Sequence, residues 1–322
     1  MLKSCLLFAL GLVMLIVGGD KFVDASTNIA KRLHVPDLLI GATVVSIGTT
    51  LPEVMVSATG ALEGHSQIAY GNAIGSIICN TALICAITIA FRPSKVTKKT
   101  LYLPVASFFI AAIFYVYCAL QDGFFSRTEG IILLCMFAIY MYLQVKSAIK
   151  HKNDIVVEEE EGQVESSSTK DIILLIVGAA VIAIGARLLV DNGTIIAKEL
   201  GVPESVIALT FVALGTSLPE LVTAITSLVK GHGLLSLGNI IGANLFNLVL
   251  VSGVSITLCP FKVPSDKTLF GMNASFVVDI PLMLLVMLIL TIPPLIKGKL
   301  YRWQGILLLV LYAGYCVFQF AM

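Results

Sequence analysis

Apolar runs of about 20 residues or more dominate the sequence, and this is the length that a helix needs to cross a bilayer. Short polar breaks separate ten such runs, at 4–31, 36–62, 67–91, 101–121, 128–149, 171–199, 204–229, 234–259, 270–293 and 302–321. Lipid offers the backbone no hydrogen-bond partners, so only helices and closed barrels span it, and these runs lack the alternation of barrel strands. We therefore predict an all-α integral membrane protein with about ten transmembrane helices.

Composition supports this prediction and excludes other classes. The 322 residues are 57% apolar and 13% charged, whereas soluble proteins carry roughly 25% charged residues. A net charge of +1 provides no field to hold nucleic acid, so we expect no nucleic-acid partner. The seven cysteines all lie in apolar runs without a CxxC spacing, which argues against a disulfide framework or a thiolate metal site.

The first apolar run follows Lys3 and has the general form of a signal peptide. It lacks a small-residue cleavage site before Asp20, however, and the same segment recurs later in the chain. We expect it to be a retained helix.

An internal repeat organises the whole chain. The segment Gly48–Glu53, GTTLPE, recurs as Gly215–Glu220, GTSLPE. The constant spacing between equivalent positions of the two copies, such as Glu53 and Glu220, is called the repeat offset below. At this offset the fifty positions from Val35 to Ile84 share 19 identities with the fifty from Val202 to Val251, where composition alone would give on the order of five. The sequence predicts two copies of one unit, over residues 1–149 and 171–322.

Five helices in each copy force the second copy to enter the membrane from the opposite side. This arrangement is an inverted repeat, which is typical of secondary transporters with a site where the copies meet. Loops on one predicted side hold fourteen Lys and Arg residues and those on the other side hold five. By the positive-inside rule the first side is cytoplasmic, so both termini are predicted outside. The charged segment 150–170 then becomes a cytoplasmic linker.

Glu53 and Glu220 lie deep in apolar helices, where an ionisable side chain costs about 2.5–3.5 kcal/mol on insertion scales. Two repeat-related glutamates with matching flanks favour a pair of carboxylates that converge on a cation. Pro52 and Pro219 strengthen this interpretation, because each lacks an amide hydrogen and is expected to free the carbonyl four residues earlier, at Gly48 and Gly215.

Hydroxyls and amides surround the two glutamates in the sequence: Thr49, Thr50, Thr216, Ser217, Ser76, Asn80 and Asn247. Carboxylate, carbonyl and hydroxyl oxygens suit Ca²⁺ or Na⁺ rather than thiophilic metals. For Asn72 and Asn239, each in a Gly-Asn pair, we expect a helix-start or turn role. For His65 and His232, which follow Gly64 and Gly231, we expect a turn or interface role rather than a proton relay.

These motifs resemble a known family. The paired G-[TS]-[TS]-L-P-E segments, each followed by G-N-x-[IV]-G-[SA]-x-x-x-N, are similar to the repeats of the calcium/cation antiporter superfamily, and specifically to its compact bacterial and archaeal calcium/sodium exchangers. The resemblance covers essentially the whole chain. It implies that Ca²⁺ is exchanged for Na⁺ across the plasma membrane by alternating access, with the first helix of each half moving against an ion-holding bundle.

The resemblance also implies roles for individual residues. Glu53 and Glu220 would chelate Ca²⁺ together with the backbone carbonyls of Thr49 and Thr216. The Na⁺ ligands would be Thr50, Ser217, Ser76, Asn80, Asn247 and the carbonyls of Ser46 and Ala213. No cofactor is expected, and the transported ions are Ca²⁺ and Na⁺. We expect the protein to be surrounded by membrane lipid. Its oligomeric state is open, and a monomer could be functional.

Two positions depart from the family pattern. Ala243 occupies the repeat position of Ser76, where the family often has a hydroxyl, so one outer Na⁺ site is expected to be weaker. Asn247 is neutral where potassium-dependent members have an Asp, which argues against K⁺ co-transport.

Three other functions stay open at this point. A Ca²⁺/H⁺ antiporter would use the two glutamates as proton carriers, and a passive cation channel would use the same ligands without coupling. An intramembrane enzyme is the weakest alternative, since no nucleophile or HExxH motif accompanies the carboxylates. We therefore expect a carrier and not an enzyme.

Overall fold

A computed structural model describes residues 2–154, 168–200, 215–265, 268–269 and 271–321. Its helices are α1 (Leu2–Leu33), α2 (Asp37–Leu62), α3 (Ser66–Phe91), α4 (Lys98–Asp122), α5 (Arg127–Asp154), α6 (Ser168–Glu199), α7 (Leu218–Val229), α8 (Gly233–Leu258), α9 (Ser275–Lys297) and α10 (Arg302–Ala321). Two short antiparallel ribbons accompany them: β1 (Phe124–Phe125) pairs with β2 (Phe261–Lys262), and β3 (Thr268–Leu269) pairs with β4 (Met272–Asn273).

The predicted all-α membrane fold is confirmed. Within the described residues, eight helices are long and apolar enough to cross a membrane, and α7 and α10 are further apolar helices. Residues 201–214, which precede α7, lie outside the described part of the chain. Helices α5 and α6 extend into the two ends of the predicted linker, and residues 155–167 of that linker are also outside the described part.

The repeat seen in the sequence is reproduced helix by helix. Helices α3 and α8 begin at the equivalent residues Ser66 and Gly233 and end at the equivalent residues Phe91 and Leu258. Each contains a π-helical stretch at the same place, Asn80–Cys85 in α3 and Asn247–Val251 in α8. The fold therefore consists of two related five-helix units, as predicted.

Tight turns join α2 to α3 and α7 to α8, as expected from the Gly-His pairs. Gly64 and Gly231 have positive φ angles of 80° and 85°, which glycine adopts without the steric cost that a Cβ would bring. His65 and His232 follow as the residues before each helix. The predicted turn or interface role is confirmed, since both histidines follow a tight turn and His232 Nδ1 also lies 3.0 Å from Asp37 Oδ2 at the start of α2.

Helices α1 and α6 pack against each other at backbone distance. A Cβ placed on Gly11 would lie 2.8 Å from the carbonyl oxygen of Gly185, and one placed on Gly185 would lie 2.9 Å from that of Gly11. Small residues allow this close approach of helices in membranes. Arg32 at the end of α1 also pairs with Asp171 at the start of α6, with Nε and Oδ2 3.1 Å apart. The first helices of the two repeats thus form one joined pair beside the bundle.

Candidate functional site

Two glutamate carboxylates lie at the centre of the bundle. Glu53 in α2 and Glu220 in the first turn of α7 are both 0% exposed. The two carboxylates interact electrostatically. Within the described residues none of their four oxygen atoms has a hydrogen-bond partner, although buried polar groups are normally paired. Such oxygens have the chemistry of cation ligands.

Neutral oxygen-bearing side chains surround the carboxylates. Ser76 and Asn247 lie beside Glu53, and Thr49 lies beside Glu220. The Oγ atoms of Ser217 and Ser76 are 3.4 Å apart, so a residue of the second repeat meets one of the first. In the described part of the chain no group of three or more His, Cys, Asp or Glu residues could hold a metal. The site therefore combines two charges with neutral oxygens.

The two asparagines predicted as Na⁺ ligands mark the start of the π-helical stretches. Asn80 and Asn247 are both fully buried, and within the described residues neither amide atom of either side chain has a hydrogen-bond partner. A π turn widens the helix and is frequent at functional sites. The structure thus presents these two amides in equivalent places on α3 and α8.

Asn72 and Asn239 connect the two repeats, which corrects the helix-start or turn role expected for them. Both lie inside helices, in α3 and α8. Thr216 Oγ1 donates to Asn72 Oδ1 at 3.0 Å, and Thr49 Oγ1 donates to Asn239 Oδ1 at 3.2 Å. Each bond is the repeat equivalent of the other. The asparagines are separated by the same repeat offset as the threonines, and this was the signal that could have identified them.

Asn72 also holds the helix that carries Glu53. Its Nδ2 donates to the backbone carbonyl of Glu53 at 3.1 Å and to Ser57 Oγ at 2.8 Å. One amide therefore contacts the Glu53 backbone with its nitrogen and Thr216 with its oxygen. This arrangement ties both halves of the predicted Ca²⁺ site to one side chain.

The two prolines differ in their structural setting. Pro52 lies in the interior of α2, as expected for a residue that disturbs the helix. Pro219 lies in the first turn of α7, where its missing amide hydrogen has no intrahelical partner to lose. The expectation of a free Gly215 carbonyl is wrong, because it accepts a 3.4 Å hydrogen bond from the Leu218 amide.

Ala243 breaks the symmetry of the polar shell. In one half Ser217 meets Ser76, but the repeat equivalents are Thr50 and Ala243, and Ala243 offers only a methyl group. Thr50 Oγ1 is buried and has no hydrogen-bond partner in the described residues. Ala243 itself is 0% exposed. Thr50 is thus unpaired in the described residues where its repeat equivalent Ser217 has a partner.

The remaining two predicted ligands are differently placed. Ser46 is fully buried, with Oγ 2.8 Å from the Gly41 carbonyl oxygen and 3.0 Å from that of Asn239, so its side chain joins α2 to α8. The carbonyl oxygen of Ser46 lies 3.5 Å from Thr49 Oγ1. Ala213 lies outside the described residues.

A cavity of about 560 Å³ reaches the site from one end of the fold. Ser76 and Thr216 line it near the carboxylates, and Gln67, Asp279 and Gln319 line it towards the ends of their helices. Asp279 accepts hydrogen bonds from Tyr315 and Gln319, at 3.2 and 3.3 Å. The cavity therefore joins that end of the bundle to residues beside the carboxylates, through a lining that is mostly apolar with a few polar groups.

The fold and site define a multi-pass membrane protein in which two related units enclose a pair of buried carboxylates. A family model described as sodium/calcium exchanger protein matches residues 3–146 and 170–321. The putative antiporter CaxA of Alkalimonas amylolytica is 33% identical over 322 residues, which cover 98% of both chains. The sodium/calcium exchanger MaX1 of Methanosarcina acetivorans is 30% identical, again with 98% of both chains covered. The chain belongs to the sodium/calcium exchanger family.

A solved structure supports the same assignment. The sodium-calcium exchanger NCX_Mj, soaked with Na⁺ and Sr²⁺, matches with a TM-score of 0.79 and 33% sequence identity. The match covers 98% of this chain and 97% of that chain. The resemblance inferred from the repeats is confirmed, and so is the expected fold.

Proposed function

We propose that the protein exchanges Ca²⁺ for Na⁺ across the membrane by alternating access. The observation that carries this proposal is the pair Glu53 and Glu220, which are fully buried, adjacent and without hydrogen-bond partners in the described residues. Burying an ionised carboxylate without compensation is costly. A bound cation would supply that compensation, and the similarity of the chain to sodium/calcium exchangers supports Ca²⁺ and Na⁺ as the cations.

Charge balance explains why two different cations can share the site. Two carboxylates neutralise one Ca²⁺ or two Na⁺ ions, so either set leaves the centre of the bundle electrically balanced. Binding of the two sets is then mutually exclusive at the carboxylates. Competition of this kind is what couples one ion to the other in an exchanger.

The ligand assignments follow the same logic. We assign Ca²⁺ to Glu53 and Glu220 with the carbonyls of Thr49 and Thr216, since Ca²⁺ takes six to eight oxygens and prefers carboxylates. The neutral oxygens complete the Na⁺ sites: Thr50, Ser217, Ser76, Asn80 and Asn247, with the carbonyls of Ser46 and Ala213. The proximity of Ser76 and Asn247 to Glu53, and of Thr49 to Glu220, supports ion sites that share the two carboxylates.

The route to the site supports access from one side at a time. The cavity lined by Gln67 and Gln319 joins the predicted outer ends of α3 and α10 to Ser76. We infer that this is the extracellular route, with both termini outside and residues 150–170 forming a cytoplasmic linker between repeats 1–149 and 171–322. The excess of Lys and Arg in the opposite loops supports this orientation.

A Ca²⁺/H⁺ antiporter is the second candidate, and the absence of a partner for either carboxylate within the described residues favours it as well. A proton on each carboxylate would also remove the cost of the buried charge. The hydroxyls at Thr50 and Ser217 favour Na⁺, because Na⁺ needs several oxygen ligands whereas a proton bound to a carboxylate does not.

Competition binding on the purified protein tests the proposal. Ca²⁺ binding is measured calorimetrically in choline chloride, in NaCl and in KCl at one ionic strength and pH. We expect Na⁺ to weaken the apparent Ca²⁺ affinity while K⁺ and choline leave it unchanged. Equal affinity in all three salts would contradict a shared Ca²⁺/Na⁺ site.

A further inference from the structure

Lys230, at the end of α7, forms ion pairs with two carboxylates of α1, the helix that packs closely against α6. Its Nζ lies 2.6 Å from Asp20 Oδ1 and 2.6 Å from Asp24 Oδ1, and it also donates to the Asp20 carbonyl at 3.0 Å. Burial lowers the pKa of Lys230, but the hydrogen bonds and charges of Asp20 and Asp24 outweigh this and raise it overall. The lysine is therefore charged at neutral pH.

The repeat equivalents of these residues carry complementary charges at the other end of the fold. The repeat offset relates Lys230 to Glu63, Asp20 to Arg187 and Asp24 to Asp191. The sign of the charge is reversed in the first two pairs, so attraction between Glu63 and Arg187 is preserved. The charges needed for an ion pair are thus kept at the other end, although the residues differ.

The equivalent contact is open in this structure. The Arg187 side chain is 84% exposed and its Nε lies 3.7 Å from Asp191 Oδ2, a residue of its own helix. Glu63, at the end of α2, is exposed. One end of the fold thus has its ion pairs formed, while the matching groups at the other end face outwards.

Packing next to the two sets of charges shows the same difference. At Gly19 of α1 an added Cβ would come within 2.5 Å of Val222 in α7, so the two helices touch there. The repeat equivalent of Val222 is Met55 in α2, and it is 69% exposed. Helix α1 therefore covers α7 at Val222, whereas α6 leaves the equivalent position of α2, Met55, uncovered.

Helices α1 and α6 contact each other along glycines and through the Arg32–Asp171 ion pair. We expect a pair joined in this way to move as one body relative to the bundle. A displacement that brings Arg187 towards Glu63 would then carry Asp20 away from Lys230.

We propose that Lys230 with Asp20 and Asp24, and Glu63 with Arg187, form two alternating ion-pair latches, one closed in each access state. The inference rests on the proposed exchange by alternating access and adds the groups that hold each end shut. Lys230 attracts two carboxylates, whereas Glu63 would meet Arg187 beside the like-charged Asp191. The Lys230 latch is accordingly the stronger one, in line with its closure in this structure.

Disulfide trapping tests the latches. In a variant without the seven native cysteines, one pair combines Asp20→Cys with Lys230→Cys, and the repeat-equivalent pair combines Glu63→Cys with Arg187→Cys. Each disulfide joins the two halves, so cleavage at a protease site inserted within 155–167 leaves them together on a non-reducing gel. We expect both pairs to cross-link, with changes in Na⁺ and Ca²⁺ raising one yield as they lower the other.

A second measurement adds Lys230→Met to the Glu63 and Arg187 cysteine pair. Loss of a partly exposed ion pair should raise cross-linking by about two- to fivefold. Lys21→Met is the matched control, because Lys21 pairs with Asp20 at 3.4 Å on the exposed face of α1. It should leave the yield unchanged.

Two results would overturn the latches. The first is absence of a disulfide between positions 63 and 187 under every ion condition, and the second is an equal yield in the Lys230→Met and Lys21→Met variants. If Ca²⁺/Na⁺ exchange persists in vesicles while either result is found, the latches are wrong and the proposed function stands. If the parent protein exchanges no ions, the proposed function fails, and the cross-linking yields still decide the latches.

Discussion

Asn72 Oδ1 accepts a hydrogen bond from Thr216 Oγ1 at 3.0 Å, so a side chain of the first repeat binds a residue that lies four positions before Glu220 in the second repeat. The same amide donates to the carbonyl of Glu53. The equivalent bond from Thr49 to Asn239 closes the arrangement from the other side. The threonine bonds are therefore reciprocal between the repeats, whereas only Asn72 also bonds to a glutamate backbone, since Asn239 Nδ2 has no hydrogen-bond partner in the described residues.

Substitution of either asparagine should loosen this connection between the repeats. A hydrogen bond contributes about 0.5–1.5 kcal/mol, and a buried polar group left without a partner costs about 1–3 kcal/mol. We expect Asn239→Ala and Asn72→Ala each to lower the midpoint of thermal unfolding and to weaken Ca²⁺ binding. Asn192→Ala is the control, since within the described residues Asn192 bonds only inside its own helix, to the Leu188 carbonyl at 2.8 Å. Unchanged Ca²⁺ affinity in both site variants would show that the bonds are structural only.

Neutralising one carboxylate should abolish Ca²⁺ transport. Glu53→Gln and Glu220→Gln each remove half of the negative charge that faces a divalent ion, and an amide oxygen is a weaker ligand. We expect comparable losses in both variants, with normal insertion and folding. Glu129→Gln serves as a control because Glu129 caps the start of α5 at the Ser126 amide instead of facing the site. Substantial Ca²⁺ exchange by either site variant would refute the two-carboxylate site.

Restoring the missing hydroxyl at position 243 should strengthen Na⁺ binding. In Ala243→Ser the new oxygen would lie in the repeat equivalent of the Ser76 position and give Thr50 a partner. A gain of about 0.5–1.5 kcal/mol corresponds to roughly a two- to tenfold lower half-saturating Na⁺ concentration. Ser76→Ala should change it in the opposite direction. If Ala243→Ser leaves the Na⁺ dependence of transport unchanged while Ser76→Ala impairs it, the two halves present different hydroxyls.

Much of this structure follows from the sequence because helices in lipid are specified by local information. The lengths of the apolar runs predict the spans, and the repeat offset predicts that α3 and α8 are equivalent. Glu53 and Glu220 stand out because a buried charge is rare in a membrane helix.

Other features depend on how the helices are rotated and packed, which no local pattern specifies. The Gly-Asn pairs at Asn72 and Asn239 are typical of turns, yet both asparagines lie inside helices and connect them. The role of Lys230 was equally hidden, because its partners Asp20 and Asp24 lie in the other repeat, far from it along the chain.

The orientation of the protein can be tested with single cysteines in the variant without native thiols. Lys95 and Lys262 are both exposed, in segments between helices that we place on opposite sides of the membrane. We expect Lys95→Cys to react only with reagents that enter the cytoplasm and Lys262→Cys with impermeant reagent outside the cell. The reverse labelling would overturn the proposed orientation and leave the ion site unaffected.

Ca²⁺ flux in liposomes tests the central claim most directly. Purified protein is reconstituted, and ⁴⁵Ca²⁺ uptake is measured with an outward Na⁺ gradient, with an outward H⁺ gradient and with neither. We predict that the Na⁺ gradient drives uptake above equilibrium, that the H⁺ gradient does not, and that Glu53→Gln abolishes the effect. Uptake driven by H⁺ alone, or equal uptake in all three conditions, would contradict Ca²⁺/Na⁺ exchange.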